Sequence, residues 1–280
     1  MGVLLERIAA AERRFLWVDD MEYAARLLAG GEVPWFDAAA YLSWRRAAQG
    51  LVKSDVIALT VGPMFAAWVA ADPALRAAML AKRRVTFPLK TLLAEQTLRL
   101  QAGEMLAGLR SMAAALPLAI VCPSPRAWLL DAHRLAHGEA APEVGEEEVD
   151  TATVYCADFL REFAGSGIDS VLLEESPSSE PAGAEELAWY RSVLNVGAHY
   201  RWDMGLRMAG DRYAGTDVPG FDYCISPRPR RAACSGIAIA ADFWRGAAPG
   251  DLVADFRFAR IPPDTAPETA LDRLAQLRAS

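Results

Sequence analysis

The sequence predicts an α/β fold, and within that class a closed (β/α)8 barrel of the TIM type with a helical extension at its N-terminus. Short apolar runs recur along the chain, and each is followed by a polar turn and a longer stretch of helical periodicity. These runs are almost continuously apolar, which is typical of parallel strands covered on both faces. The chain has 280 residues, of which 53% are hydrophobic, and barrels of this type commonly form a single domain of that length.

The helical extension is predicted to occupy residues 1–50, and residues 1–280 are expected to form one barrel domain on which it packs. Apolar residues recur at helical spacing over residues 4–28, and a glycine pair follows where a helix would end. A second helical stretch is predicted over residues 33–46.

Seven strands and four long helices are predicted in the remainder of the chain. The strands lie within the apolar runs at residues 55–63, 116–123, 168–176, 201–210, 221–227, 236–244 and 255–262. Helical periodicity covers residues 76–115, 147–164, 185–200 and 265–278. Pro88 is expected to bend the first of these helices, because it removes a backbone donor. None of the strands is followed by a glycine-rich phosphate-binding motif, which argues against a nucleotide-binding fold.

The composition argues against several classes of partner. The net charge is -7, whereas binding to nucleic acid requires clustered lysine and arginine. The longest apolar stretch, residues 56–71, is interrupted by Gly62 and Pro63 and is too short to span a membrane. The four cysteines include no C-x-x-C pair, and the N-terminus lacks the pattern of a secretory signal. We therefore expect a cytoplasmic protein that binds a small anionic molecule, with neither nucleic acid nor membrane as partner and a homodimer as the candidate assembly.

Three carboxylates are the candidate catalytic groups: Glu174, Glu175 and Asp242. Each lies near the C-terminal end of a predicted strand, where the reacting groups of such barrels are found. The two glutamates are adjacent, so they point to opposite faces of their strand and at most one faces the barrel mouth. An inward carboxylate beside apolar walls has a raised pKa and can transfer a proton, although a strand-end glutamate often only anchors the next loop.

Three arginines and a tryptophan are the candidate substrate-binding residues. Arg126 follows a strand end that carries two prolines, where a rigid turn would aim its guanidinium at an anion; a salt bridge to a neighbouring loop is the alternative. Arg207 lies inside an apolar strand and requires either an acidic partner or an anionic ligand. Trp244 and Arg245 adjoin Asp242 and suit an organic acid or a ring, but the segment also fits a loop anchored by a buried tryptophan.

No metal site and no cofactor are predicted. His133 and His137 are four residues apart and would share one face of a helix, but the residues between them lack the glutamate of a metalloprotease motif. The spacing of serine, cysteine, histidine and aspartate residues predicts no catalytic triad. The candidate chemistry therefore depends on carboxylates and arginines.

Five segments of the chain resemble sequence motifs that occur in the same order in a known enzyme superfamily. AGSGIDSVLLEES, at residues 164–176, is similar to A-G-x-D-x-[IV] followed by an acidic strand tip, and GLRMAGD, at residues 205–211, takes the place of H-x-C-G-D. The other three are LAIVCPSPRAWLL, GIAIAADFWRG and IPPDTAPETALDRLAQL. Together they resemble the superfamily of uroporphyrinogen decarboxylase, which also includes corrinoid methyltransferases and cobalamin-independent methionine synthase. The resemblance implies a (β/α)8 barrel.

The departures from that superfamily change the chemistry that the resemblance implies. In its zinc-dependent methyltransferases the His and Cys of H-x-C bind zinc, whereas here Arg207 and Ala209 hold those places, and neither ligates zinc. Its decarboxylases bind substrate carboxylates with an arginine-rich loop near the N-terminus. VPWFDAAAYL, at residues 33–42, resembles that loop but lacks the arginines.

The residues and the resemblance together predict a metal-independent, decarboxylase-like enzyme of the lyase type that acts on an organic acid. Arg126 and Arg207 would hold anionic groups, one of Glu174 and Glu175 would transfer a proton, and Asp242 would assist. One alternative is a methyltransferase that takes a methyl group from a corrinoid or a folate. Another is a barrel that binds a ligand without catalysis.

Overall fold

Eight parallel strands form the centre of the molecule. The computed structural model describes residues 2–138, 142–210, 212–249 and 253–279. The strands are β1 (Phe15–Asp19), β2 (Ile57–Thr60), β3 (Leu118–Pro123), β4 (Ser170–Glu174), β5 (Asp203–Arg207), β6 (Tyr223–Ser226), β7 (Cys234–Ala238) and β8 (Phe256–Arg260). They are hydrogen-bonded in the order β1-β8-β7-β6-β5-β4-β3-β2, with every neighbouring pair parallel. The sheet curls into a near-barrel, which confirms the predicted fold class.

Helices connect most of the strands and cover the outside of the sheet. They are α1 (Val3–Ala9), α2 (Met21–Leu28), α3 (Ala38–Val52), α4 (Val61–Ala71), α5 (Pro73–Met79), α6 (Phe87–Leu93), α7 (Gln96–Met112), α8 (Pro125–His137), α9 (Glu146–Arg161), α10 (Ala184–Leu187), α11 (Arg191–Tyr200) and α12 (Pro267–Ala279). Ala188–Tyr190 and Ala241–Arg245 form short 3-10 helices. None of the helices in the described part of the chain is long and apolar enough to cross a membrane.

The first 50 residues are not a purely helical extension, because they also supply strand β1. The helix expected over residues 4–28 is instead α1, β1 and α2 in succession. Phe15–Asp19 is apolar at its first four positions, a pattern that fits a buried strand as well as a buried helix. Its pairing with β8, at the other end of the chain, makes it a strand.

The helix expected over residues 76–115 is three separate helices, α5, α6 and α7. Pro88 lies in the first turn of α6, where its missing amide hydrogen costs nothing, because donors of the first turn have no partner within the helix. It therefore starts a helix and does not bend one. The helices expected over residues 147–164 and 265–278 correspond to α9 and α12.

Two side-chain contacts and one backbone hydrogen bond close the barrel between β1 and β2, which do not pair as a strand ladder. β1 and β2 are the two ends of the hydrogen-bonded sheet. Across this gap, Asp55 Oδ2 accepts a hydrogen bond from the amide of Leu16 at 2.8 Å, and Ser54 Oγ accepts one from the amide of Val18 at 2.9 Å. The amide of Asp55 in turn donates to the carbonyl of Leu16 at 3.0 Å. The backbone donors of β1 at this edge are thus satisfied.

The barrel interior is packed with large apolar side chains, and α1 covers its N-terminal end. Leu4, Leu5 and Ile8 of α1 belong to the same apolar cluster as interior residues of the strands such as Trp17 and Leu172. The cluster also contains Phe15, Tyr223, Phe256 and Phe258. α1 thus covers the interior at the N-terminal ends of the strands.

Candidate active site

A cavity of about 490 Å³ opens at the C-terminal ends of the strands, and we call it the mouth cavity. A cavity of this size accommodates a small organic ligand. Part of its wall is apolar and comes mainly from α4 and α8, and charged side chains line the rest. The charged or titratable lining residues are Asp19, Glu22, Asp131, Arg134, Glu174, Glu175, Arg207 and Arg260. This is the end of the barrel at which reacting groups are expected.

Four charged side chains in the mouth cavity form what we call the ionic layer: Asp19, Glu174, Arg207 and Arg260. Arg207 Nη1 donates to Glu174 Oε1 at 2.6 Å, and Arg260 Nη2 lies 3.6 Å from the same oxygen. Arg260 Nε donates to Asp19 Oδ2 at 2.6 Å. Two positive and two negative charges are thus joined in one series of ion pairs and compensate each other.

Strand register places these four groups together. Each is the last residue of its strand, and the register pairs Asp19 with Arg260 and Glu174 with Arg207. Because side chains alternate along a strand, Asp19, Glu174 and Arg260 lie on the same face as the interior side chains of Trp17, Leu172 and Phe258. Arg207 lies on the same face as Gly205, which has no side chain. The ionic layer is therefore the uppermost layer of the barrel interior.

Arg207 has the acidic partner that its place in an apolar strand requires. Its side chain is only 14% exposed, and its guanidinium carbon lies 5.1 Å from the centre of the Phe258 ring, a cation–π distance. Within the described part of the chain its Nε is buried and has no hydrogen-bond partner. A ligand in the mouth cavity would therefore contact Arg207 at the exposed part of its side chain, beside the salt bridge to Glu174.

Glu175 makes its contacts apart from those of Glu174, in agreement with the alternation of side chains along the strand. Its carboxyl group accepts hydrogen bonds from Ser179 Oγ at 2.6 Å and from Tyr190 OH at 2.5 Å. Burial raises the pKa of Glu175 to about 7, although hydrogen bonds from neighbouring hydroxyl groups lower it. Both glutamates border the mouth cavity, whereas the sequence predicted that at most one would face it. A carboxyl group with a pKa near neutral pH therefore lies beside the space for a ligand.

Arg126 lies outside the mouth cavity and takes part in a salt bridge to the loop region after β4. Its Nη1 lies 2.5 Å from Glu186 Oε2, and its guanidinium carbon is 5.7 Å from the centre of the Trp189 ring. The same oxygen of Glu186 accepts a hydrogen bond from the amide of Ala182 at 3.0 Å. Of the two roles considered for Arg126, these contacts correspond to the salt bridge.

Asp242, Trp244 and Arg245 lie in the 3-10 helix after β7, and none of them lines the mouth cavity. Trp244 is buried in a separate apolar cluster with residues of β1, β8 and α12, whereas Asp242 and Arg245 are exposed. The structure thus separates this segment from Glu174 and Arg207. Its geometry is that of a loop anchored by a buried tryptophan.

Two residues of the ionic layer, Asp19 and Arg260, are not among the candidate residues predicted from the sequence. Asp19 was missed because β1 lay within a predicted helix. Arg260 ends a strand that the sequence did predict, within FRFARI, and the rule that selected Glu174 also applies to it. A charged residue at the last position of an apolar run is therefore the signal that identifies both.

The described residues include no group of three or more His, Cys, Asp or Glu side chains arranged to hold a metal ion. The rings of His133 and His137 stack on α8 with their centres 4.4 Å apart. Ala209 lines the mouth cavity, and Asp211, the last residue of GLRMAGD, lies outside the described residues.

The fold and this site define a (β/α)8-barrel protein whose interior ends in an ionic layer beneath a cavity of ligand size. The sequence matches no protein-family model, and no curated protein is significantly similar to it. The resemblance to the uroporphyrinogen decarboxylase superfamily consequently depends on the five motifs alone.

Proposed function

We propose that this chain is a metal-independent enzyme of the lyase type that acts on an organic acid in the mouth cavity. The ionic layer carries the proposal, because the guanidinium groups of Arg207 and Arg260 converge on one carboxylate oxygen of Glu174. Each guanidinium group has five N–H donors in a fixed plane, so a substrate carboxylate can bind beside Glu174. The half-exposed side chain of Arg260 and the exposed part of the Arg207 side chain supply the donors.

The two glutamates have different roles in this proposal. Glu174 orients the two guanidinium groups through its ion pairs. Glu175 transfers the proton, because its pKa of about 7, raised by burial, is suited to a general acid or base at neutral pH. In a decarboxylation, the bond between the carboxylate carbon and its neighbour breaks, CO2 leaves, and the electron pair left on the neighbouring carbon takes the proton from Glu175. The substrate itself carries the carbonyl group or ring that stabilises this electron pair.

The sequence motifs support the same reaction class. The zinc-dependent methyltransferases of the superfamily that this chain resembles bind zinc with a His and a Cys. This chain has Arg207 and Ala209 at those positions, and neither side chain is a zinc ligand. An arginine at that position instead favours binding of a carboxylate. This substitution is why we propose a metal-independent reaction on an acid and not a zinc-dependent methyl transfer.

Binding of organic acids tests the role of the arginines. We expect calorimetry with a panel of 3-oxo, dicarboxylic and aromatic acids to identify at least one that binds, and Arg260→Met to weaken its binding by about tenfold or more, as the loss of a charge-assisted hydrogen bond implies. Arg245→Met is the matched control, because Arg245 is exposed and outside the mouth cavity. Equal weakening by both variants, or no binding of any acid, would contradict the proposal.

Product analysis then tests the reaction. Each acid that binds is incubated with the protein, and released CO2 and the remaining organic product are measured, with and without a methylcorrinoid or methylfolate. Product that forms only with a methyl donor would replace the lyase by the methyltransferase alternative.

Ligand binding without catalysis is the second candidate, and one observation favours it. All four charges of the ionic layer are already compensated within the protein, so the site needs no ligand to be electrostatically stable. Binding that depends on Arg260, together with the absence of any product, would establish this candidate in place of the enzyme.

A further inference from the structure

A second and smaller cavity, which we call the inner cavity, lies at the gap between β1 and β2. Its volume is about 30 Å³, which is room for roughly two groups the size of a water molecule. It is lined from β1 and β2, from the barrel interior and from α3. Four of its lining residues, Asp19, Met21, Thr60 and Glu174, also line the mouth cavity. The inner cavity is therefore adjacent to the mouth cavity, on the other side of the ionic layer.

A buried ion pair forms part of the wall of the inner cavity. Arg45 Nη1 donates to Asp20 Oδ1 at 2.8 Å, and the two side chains are only 6% and 3% exposed. Each of them nevertheless has one buried polar atom that no described residue hydrogen-bonds, namely Oδ2 of Asp20 and Nε of Arg45. Buried polar atoms in folded proteins are almost always satisfied, so this pair is short of one donor and one acceptor.

A hydroxyl group has the chemistry that this pair lacks. It donates one hydrogen bond, as Asp20 Oδ2 requires, and accepts one, as Arg45 Nε requires. A carboxylate cannot donate and an ammonium group cannot accept, and the ion pair has no net charge left to attract either of them. The small volume of the inner cavity also suits a single hydroxyl group and excludes anything much larger.

We infer that the inner cavity is a subsite for a hydroxyl group of the ligand, and that the ligand is a hydroxy acid. This inference rests on the proposed function, because it places the carboxylate of the ligand at Arg207 and Arg260. The hydroxyl group then passes the ionic layer near Thr60 and reaches the pair of Asp20 and Arg45.

Matched acids test the inference in the unmodified protein. NMR titration, which measures weak binding, gives the dissociation constants of butyrate and of 2-, 3- and 4-hydroxybutyrate. We expect one of the three hydroxy acids to bind about tenfold more tightly than butyrate, because its hydroxyl group makes the two missing hydrogen bonds to charged groups. Equal affinities for all four acids would mean that no hydroxyl group binds in the inner cavity, which would overturn the inference.

A variant that fills the inner cavity identifies where the preference arises. Ala58 of β2 lines the inner cavity but not the mouth cavity, so Ala58→Val places two additional carbon atoms in the subsite. We expect the ratio of the butyrate and hydroxybutyrate dissociation constants to fall to about one in this variant, because water-sized space is lost. The control is Ala238→Val on β7, since Ala238 is also partly buried in the barrel interior but lines neither cavity.

The possible outcomes separate this inference from the proposed function. If butyrate and its hydroxy derivatives bind with Arg260-dependent but equal affinities, the proposed acid site stands and the hydroxyl subsite is wrong. If none of the four acids binds, the proposed function itself fails for acids of this size. If Ala58→Val and Ala238→Val both keep the preference of the unmodified protein for the hydroxy acid, the hydroxyl group binds outside the inner cavity. That result would overturn the inference.

Discussion

Among the individual residues, Glu175 has a carboxyl group that burial keeps protonated at a pH where an exposed glutamate is ionised. Burial raises its pKa from 4.5 to about 7 in the folded protein. Between these two values the unfolded chain loses the proton while the folded chain retains it. The folded state is therefore favoured below pH 4.5, and this contribution is lost as the pH rises through 7. The shift corresponds to about 3 kcal/mol of unfolding free energy.

Glu175→Gln removes this pH dependence. Glutamine keeps the size of the side chain and can still hydrogen-bond to Ser179 and Tyr190, but it does not ionise. We expect the variant to match the wild type in stability near pH 4.5 and to be more stable, by up to about 3 kcal/mol, near pH 8. Urea unfolding at a series of pH values measures the difference. Glu185→Gln, at an exposed position nearby, serves as the control and should leave the pH profile unchanged.

The sequence predicted part of the candidate site. It predicted the features that depend on neighbouring residues, and it could not predict the contacts between residues far apart in the chain. The opposite orientation of Glu174 and Glu175 follows from the two-residue period of a strand, which is local. The need of Arg207 for an acidic partner follows from its apolar neighbours, which are also local. The pairing of Arg260 with Asp19 joins residues 241 positions apart, and no local pattern indicates which charged strand ends will meet.

Among the secondary-structure elements, the gap between β1 and β2 is the part of the barrel that depends most on single side chains. The hydroxyl of Ser54 accepts the amide hydrogen of Val18 at 2.9 Å, and Ser54 itself is buried. Removal of the Ser54 hydroxyl group leaves the amide of Val18 without this hydrogen-bond partner, and water has little access to replace it because Ser54 is buried. The closure of the barrel thus depends on a side chain where other barrel strands use backbone pairs.

Ser54→Ala tests this closure. We expect a loss of about 1–3 kcal/mol in the free energy of unfolding, which is the cost of leaving a buried amide unsatisfied. Urea unfolding measures the loss, and hydrogen exchange at Val18 should become faster. Ser111→Ala, at an exposed position of α7, is the control and should change stability by less than about 0.5 kcal/mol. Equal effects of the two substitutions would show that the Ser54 hydroxyl does not stabilise the closure.

The same elements show which parts of the fold could be predicted from the sequence. Strands β2 to β6 and β8 fall within the predicted apolar runs, and β7 overlaps its run but begins two residues earlier, at Cys234. These runs could be recognised because turn residues flank them. β1 could not be distinguished in this way. It lies between two short helices, α1 and α2, so its four apolar residues continue a pattern that resembles one long helix. Only the need of β8 for a partner at its edge identifies it as a strand.

On the scale of the whole molecule, the two ends of the barrel differ: one carries the candidate site and the other is covered by a helix. The C-terminal end carries the ionic layer and the mouth cavity. The N-terminal end is covered by α1, whose first amides are held by one carboxylate of the barrel. Asp203 Oδ1 accepts a hydrogen bond from the amide of Gly2 at 2.9 Å, and Oδ2 accepts from the amides of Leu4 at 2.9 Å and Leu5 at 3.2 Å. A helix N-terminus is favourable for a negative charge, so this contact fastens α1 over the interior.

Asp203→Asn therefore tests whether the packing of α1 at the N-terminal end of the barrel is independent of acid binding in the mouth cavity at the C-terminal end. The amide nitrogen of asparagine would face the N–H groups of α1, and we expect a loss of about 2–3 kcal/mol in the free energy of unfolding. Hydrogen exchange at Leu4 and Leu5 should become faster, because the helix is released from the barrel. Acid binding in the mouth cavity should stay the same, since Asp203 lies at the first residue of β5 and Arg207 at its last. Asp150→Asn, at an exposed position of α9, is the control, and unchanged exchange at Leu4 and Leu5 would refute the anchoring role of Asp203.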